Sequence, residues 1–158
     1  MPKESIGSVD VGHVGQPAPA VPFQGPTDAP ATLATFRGRP LLVNLWATWC
    51  APCVREMPTL DDLAKREGAR FRTIVVSQDM GGRKDVTAYF AKEKFHTLQP
   101  YLDKDGVLAA ALGVQNLPTT ILYDAHGKEL WRVTGAMDWT GDRAKKLIDG
   151  ALNPPGKG

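Results

Sequence analysis

The stretch Leu41-Leu42-Val43-Asn44-Leu45-Trp46-Ala47-Thr48-Trp49-Cys50-Ala51-Pro52-Cys53-Val54-Arg55-Glu56-Met57-Pro58 decides how the rest of the chain is read. Its first six residues are an apolar run of strand length behind the turn Arg37-Gly38-Arg39-Pro40, which predicts a buried strand. From 52 to 67 the period changes. Cys53, Met57, Leu60, Leu63 and Ala64 recur at helical spacing, and Gly68 supplies an end. Pro58 lies inside this pattern, removes one backbone donor and is expected to kink the helix about two turns in. Cys50 and Cys53, the two cysteines of the chain, therefore stand where a buried strand hands over to a helix.

Working outward, residues 71–77 read as the next buried strand around Ile74, Val75 and Val76, so strand, helix and strand form a right-handed βαβ unit. Gly81-Gly82 breaks the chain. Residues 85–94 then carry Val86, Tyr89 and Phe90 at helical spacing, followed by a less regular stretch to Tyr101. A short helix is predicted over 107–112, closed by Gly113. Asn116-Leu117-Pro118 leads into a strand over 119–123, and Ala125-His126-Gly127 turns it back as a hairpin over 128–134. An amphipathic helix over 140–152 offers Ala144, Leu147, Ile148 and Ala151 to a core. Upstream, glycines and prolines crowd residues 1–30, which predicts a flexible arm over 1–14 and an extended entry segment from Gly15. Residues 33–36 are read as a short strand. The folded domain is expected over 15–152, with a flexible tail over 153–158. The alternation of strands and helices predicts an α/β fold, a central mixed β-sheet with helices on both faces.

With 158 residues, 42% apolar and 23% charged, the chain has the length and composition of one globular domain. Nineteen basic against 17 acidic residues leave +2, which gives no basis for binding nucleic acid or an anionic membrane by charge. No run reaches the eighteen apolar residues of a spanning helix, and residues 1–10 lack the apolar core of a secretory signal. Membrane association is expected only through an anchor absent from this sequence.

Two thiols three residues apart at a helix start can close a small disulfide ring, and the first lies near the positive end of the helix dipole, which favours its thiolate. Cys50 is thereby the nucleophile and Cys53, one turn inward, the resolving thiol. Thiols in such positions titrate at roughly 3.5 to 7.5 against about 8.5 for a free cysteine. Three plainer readings compete. A structural staple closing so few residues constrains little of the unfolded chain. Half of a zinc site would need further cysteines or clustered histidines, whereas His13, His96 and His126 are scattered. Two inert core cysteines fit poorly with Trp49 and Pro52 beside them.

These residues resemble the thioredoxin superfamily and, within it, the TlpA, ResA and CcmG-like branch of extracytoplasmic thiol-disulfide oxidoreductases. The resemblance runs from about Gly15 to Leu152 and is carried by the stretch from Leu42 to Pro58, by Leu117-Pro118-Thr119-Thr120 and, more weakly, by the entry segment. It implies a thioredoxin fold with an N-terminal extension and an insert after the second core strand, here roughly 79–105. It implies a redox-active Cys50-Cys53 pair without organic cofactor or metal, protein disulfides as substrates, a membrane-borne dithiol as electron donor, and a periplasmic or extracytoplasmic setting. Clients would be apocytochrome c cysteines or a copper-site protein.

The buried acid that thioredoxin places on the strand before its motif is replaced here by Asn44, which takes no proton. Glu56 matches the acid of the ResA-like pattern Cys-x-x-Cys-x-x-Glu and lies three residues beyond Cys53 on the same helix. It is the candidate for managing the proton of Cys53, with a pKa raised by partial burial; the competing reading is a solvated first-turn glutamate. Pro118 resembles the cis-proline that faces the cysteine pair, Leu117 would flank the substrate groove, and Trp49 would add flat apolar area to it. Trp46, Trp131 and Trp139 are read as core or rim residues without chemistry. The rival readings are a thiol peroxidase, because the entry segment also resembles peroxiredoxins, and a Cu(I) chaperone holding the metal on both thiolates.

Overall fold

The structure, a computed structural model, describes residues 7–153. In chain order its elements are β1 (Ser8–Asp10), β2 (Phe23–Gln24), β3 (Pro30–Ala31), a 3-10 turn (Leu33–Phe36), β4 (Leu41–Trp46), α1 (Ala51–Arg66) and β5 (Arg72–Ser77). Then follow α2 (Arg83–Glu93), β6 (Pro100–Leu102), α3 (Val107–Leu112), β7 (Thr119–Tyr123), β8 (Glu129–Thr134) and α4 (Asp142–Leu152). All strands join one mixed sheet in the order β1-β8-β7-β4-β5-β6-β2-β3. β4 lies at its centre, parallel to β5 and antiparallel to β7. All six of its residues are buried, as the apolar run requires.

Side chains on a strand alternate between faces, so β4 feeds two cores. Leu42 and Trp46 point into a cluster with Cys53, Met57 and Leu60 of α1, Val86 of α2 and Ala144 and Ile148 of α4. Leu41, Val43 and Leu45 point into a second cluster with Leu108 and Leu112 of α3, Phe23 and Leu33. By the same alternation Asn44, at 0% exposure, lies on the α1 face. That is the relation that matters for chemistry.

Three expectations change. Residues 33–36 are a 3-10 turn and not a strand, because Thr32 and Thr35 close a capping box across it. Ser8–Asp10, expected as part of a flexible arm over 1–14, is instead a strand paired with 132–134 of β8. An uncovered β8 would leave a row of unpaired backbone groups, and this segment satisfies them; Gly15 N donates to Glu129 O (2.8 Å) further along the same edge. The first six residues of that arm, and the tail beyond Asn153, lie outside the described residues. The insert over 79–105 supplies α2 as expected and also β6, a parallel neighbour of β5 hidden in the stretch read as irregular. The preceding loop is held by Asp61 of α1, whose carboxylate accepts from His96 N (2.9 Å), Thr97 N (2.8 Å) and Leu98 N (3.0 Å). α1 runs unbroken through Pro58.

Candidate active site

β4 ends at Trp46, and the chain makes a turn in which Cys50 N donates to Ala47 O (3.2 Å). Cys50 is then the N-cap of α1, with extended backbone and with Pro52 in the first turn. Its Sγ accepts the backbone N–H of Cys53 at 3.3 Å. Helix-end N–H groups lack intrahelical acceptors, so the sulfur occupies an anion-stabilising place that a thiolate fills better than a thiol. Cys50 and Cys53 are joined as a disulfide, their Cα atoms 5.3 Å apart. Cys53 is fully buried, whereas Cys50 keeps 6% exposure. Only the first sulfur faces an incoming partner.

Glu56 sits in the second turn of α1 at 3% exposure. The reading as a solvated first-turn glutamate is therefore set aside. Its Oε1 accepts from Met137 N (3.0 Å) and Trp139 Nε1 (3.0 Å), and its Oε2 from Asn44 Nδ2 (2.9 Å). Burial pushes its pKa from 4.5 up to about 7, against the opposing pull of those three hydrogen bonds. A carboxyl group titrating near neutrality, three residues beyond a buried thiol on one helix face, is suited to take and return a proton at working pH.

The peptide bond between Leu117 and Pro118 is cis. Thr119 pairs with Leu45, so the loop carrying Pro118 emerges at the same end of the sheet as the loop carrying Cys50. Pro118 is buried, its carbonyl accepting from Gly135 N (2.8 Å), and Leu117 is half-buried between the two cores. Trp49, by contrast, is 70% exposed beside Cys50.

Sequence reasoning passed over two residues that the structure ties to the site. Trp139, read as a core residue, also donates to the Glu56 carboxylate; it reaches there from the loop after β8, and nothing local in the sequence signals that. Asp79, buried just past the end of β5, accepts from Thr48 N (2.9 Å) and Ser77 Oγ (2.6 Å) and from the Thr48 hydroxyl. This one did have a signal: β4 and β5 are parallel neighbours, so the residues following them lie side by side at the carboxyl end where α/β sheets place their sites.

Comparison with known proteins agrees with this geometry. Residues 13–149 match the Redoxin family. A thiol:disulfide interchange protein DsbE of Pseudomonas fluorescens biotype C is 36% identical over 152 residues, covering 87% of this chain and 79% of its own. The thiol-disulfide oxidoreductase ResA of Geobacillus thermodenitrificans is 33% identical over 108 residues, 66% of this chain; the match spans only 60% of the relative's length. Among solved structures, a thiol:disulfide interchange protein of the thioredoxin family from Chlorobium tepidum TLS superposes with a TM-score of 0.72 over 88% of this chain and 97% of its own. At 21% identity that likeness concerns the fold alone. The thioredoxin-like fold and the similarity to ResA and DsbE proteins converge: the chain belongs to the Redoxin family, with thiol-disulfide oxidoreductases as its relatives.

Proposed function

We propose that this protein is a thiol-disulfide oxidoreductase that reduces disulfides of proteins outside the cytoplasm. The observation that carries the reading is the Cys50-Cys53 disulfide at the start of α1, its outer sulfur receiving the Cys53 N–H and its inner cysteine followed three residues later by buried Glu56. In the reduced protein the Cys50 thiolate attacks one sulfur of a client disulfide, forming a mixed disulfide and expelling the other client sulfur as a thiolate. Cys53 then gives its proton to Glu56 and attacks Cys50 Sγ. The second client thiolate leaves, and the Cys50-Cys53 bond is restored. Two electrons have passed to the client, and a further dithiol, in this reading a membrane-borne one, must return them. The disulfide is itself the redox centre, with no organic cofactor.

The extracytoplasmic setting and the clients, cysteines of apocytochrome c or of a copper-site protein, are supported by the similarity to ResA and DsbE proteins. Among the described residues no helix is long and apolar enough to cross a membrane, so a membrane location would require a segment outside them. The deciding experiment mixes the chemically reduced protein with a disulfide-bonded polypeptide and separately with hydrogen peroxide. Stoichiometric loss of the polypeptide disulfide, with oxidation of Cys50 and Cys53, is the expected result. Rapid peroxide turnover through a sulfenic acid on Cys50, without disulfide exchange, would overturn it.

A further inference from the structure

The peptide unit that joins Ala136 to Met137 is held from both edges. Its N–H, on Met137, donates to Glu56 Oε1 (3.0 Å), and its carbonyl, on Ala136, accepts from Gly7 N (3.0 Å). Carbonyl and N–H of a trans peptide point in opposite directions, so Gly7 and Glu56 hold one rigid plane between them. We infer that Gly7 is a positioning residue for the active site: by fixing this plane from the far side, it keeps Met137 N–H on the Glu56 carboxylate while Glu56 takes and returns the proton of Cys53. The inference rests on the reading of Glu56 as the group that handles that proton and adds the amino-terminal segment to the machinery.

Gly7 is buried just before β1, and the pairing of β1 with 132–134 of β8 brings it there. A Cβ placed on it would come to 2.6 Å from Val133 Cγ1, 2.9 Å from Gly135 O and 3.2 Å from Ala136 O, so any side chain must push the segment away. Elsewhere that segment is tied by Gly135 N to Pro118 O (2.8 Å) and by Trp139 N to Thr59 Oγ1 (3.1 Å). Between those ties, Gly7 supplies the hold opposite Glu56. The bond also acts electrically, because a carbonyl that accepts a hydrogen bond polarises its peptide unit and makes the N–H on the other edge a better donor. An ionised carboxylate gains more from that donor than the neutral acid does, so the bond opposes the burial that raises Glu56 to about 7. Other groups around Glu56 leave this balance to hydrogen bonds. Asn44 of β4 and Thr120 of β7 do not titrate in the working range. Asp138, in the same loop, is turned to Thr140 N (3.0 Å) and to the Thr140 hydroxyl (2.6 Å). Asp10 of β1 and Arg132 of β8 lie on the sheet face opposite to Val133. Asp142, Arg143, Lys145 and Lys146 of α4 are exposed. The titratable neighbour is Cys53 of α1, in the reduced protein.

The test follows the Glu56 carboxyl carbon by NMR against pH in the oxidised full chain, with Glu56→Gln to assign the signal. Gly7→Ala is expected to move its midpoint up by roughly 0.3 to 1 pH unit, and the bulkier Gly7→Val at least as far. The pH midpoint of polypeptide disulfide reduction by the same variants, once reduced, should rise in step. Asp61→Ala, which weakens the fold at the loop before β6, should leave both midpoints in place. Unmoved midpoints in the Gly7 variants, whatever their stability in urea, would overturn the positioning role while leaving the oxidoreductase reading intact. An equal shift in Asp61→Ala would overturn it too, by tracing the effect to general loosening. A wild type that reduces no polypeptide disulfide would sink the oxidoreductase reading, and the role of Gly7 with it.

Discussion

Asn44 of β4 donates from Nδ2 to Glu56 Oε2 across the sheet-helix interface at 2.9 Å, while its own Oδ1 is buried without a donor. The same Nδ2 also reaches Thr120 Oγ1 at 3.0 Å. This arrangement suits an ionised Glu56. When Glu56 is protonated, rotation of the amide would let Oδ1 accept the new O–H, so the neighbour that replaces thioredoxin's acid can serve both charge states of the carboxyl group.

The first prediction concerns stability against pH in the oxidised protein. Glu56 has its pKa raised from 4.5 to about 7 on folding, so the folded protein holds the proton more tightly than the unfolded chain. Its contribution is fully present below about pH 4.5, declines as pH rises and is gone above about pH 7, a loss of ~3 kcal/mol. Glu56→Gln, whose amide imitates the protonated acid, should lack that decline. Urea unfolding of both proteins from pH 4.5 to 8.5 reads the difference, and parallel curves would remove the buried proton.

Trp139→Phe deletes the indole donor to Glu56 and leaves the carboxylate with two partners. The charged form suffers more than the neutral one. The decline should therefore still begin near pH 4.5, which the unfolded chain sets, but end roughly one unit higher, whatever the absolute cost of the smaller ring. An end point that moves down or stays would mean that the hydrogen bond contributes nothing to the titration of Glu56.

Roles of the two sulfurs follow from their burial, 6% for Cys50 and 0% for Cys53. Cys53→Ser should accumulate mixed disulfides with client proteins, visible on non-reducing gels, and Cys50→Ser should not. In the reduced wild type, iodoacetamide should modify Cys50 first. The opposite labelling order would exchange the roles.

Asp61 is a purely structural case. Its carboxylate accepts three backbone N–H groups of the loop between α2 and β6, and Asp61→Ala leaves them without acceptors. The expected cost is ~2–4 kcal/mol, read from the urea midpoint. A change below ~0.5 kcal/mol would show that water replaces the carboxylate without penalty.

What could be read from the sequence was whatever depended on neighbours along the chain. The apolar run of β4, the helical spacing of α1 and the placement of Cys50 and Cys53 between them needed only local periodicity. Glu56 was legible through its distance from Cys53. β6 was hidden because three residues carry too short a pattern, and its strand character comes from pairing with Val75, Val76 and Ser77. Ser8–Asp10 sits in a stretch whose glycines argue for mobility until β8 offers an edge. Trp139 was missed as a site residue because its partner Glu56 is 83 residues away, whereas Asp79, 31 residues from Thr48, could have been found from the parallel neighbours β4 and β5.

The ends of the sheet bear on how the protein behaves when concentrated. One outer strand, β1, has three residues; the other, β3, has two, and one of them is Pro30, which has no N–H to offer a neighbour. Among the described residues neither edge presents a long ladder of unpaired groups on which another copy could stack. Growth by strand addition is blunted at both of these edges, which disfavours the protein as a template for β-aggregation at high concentration.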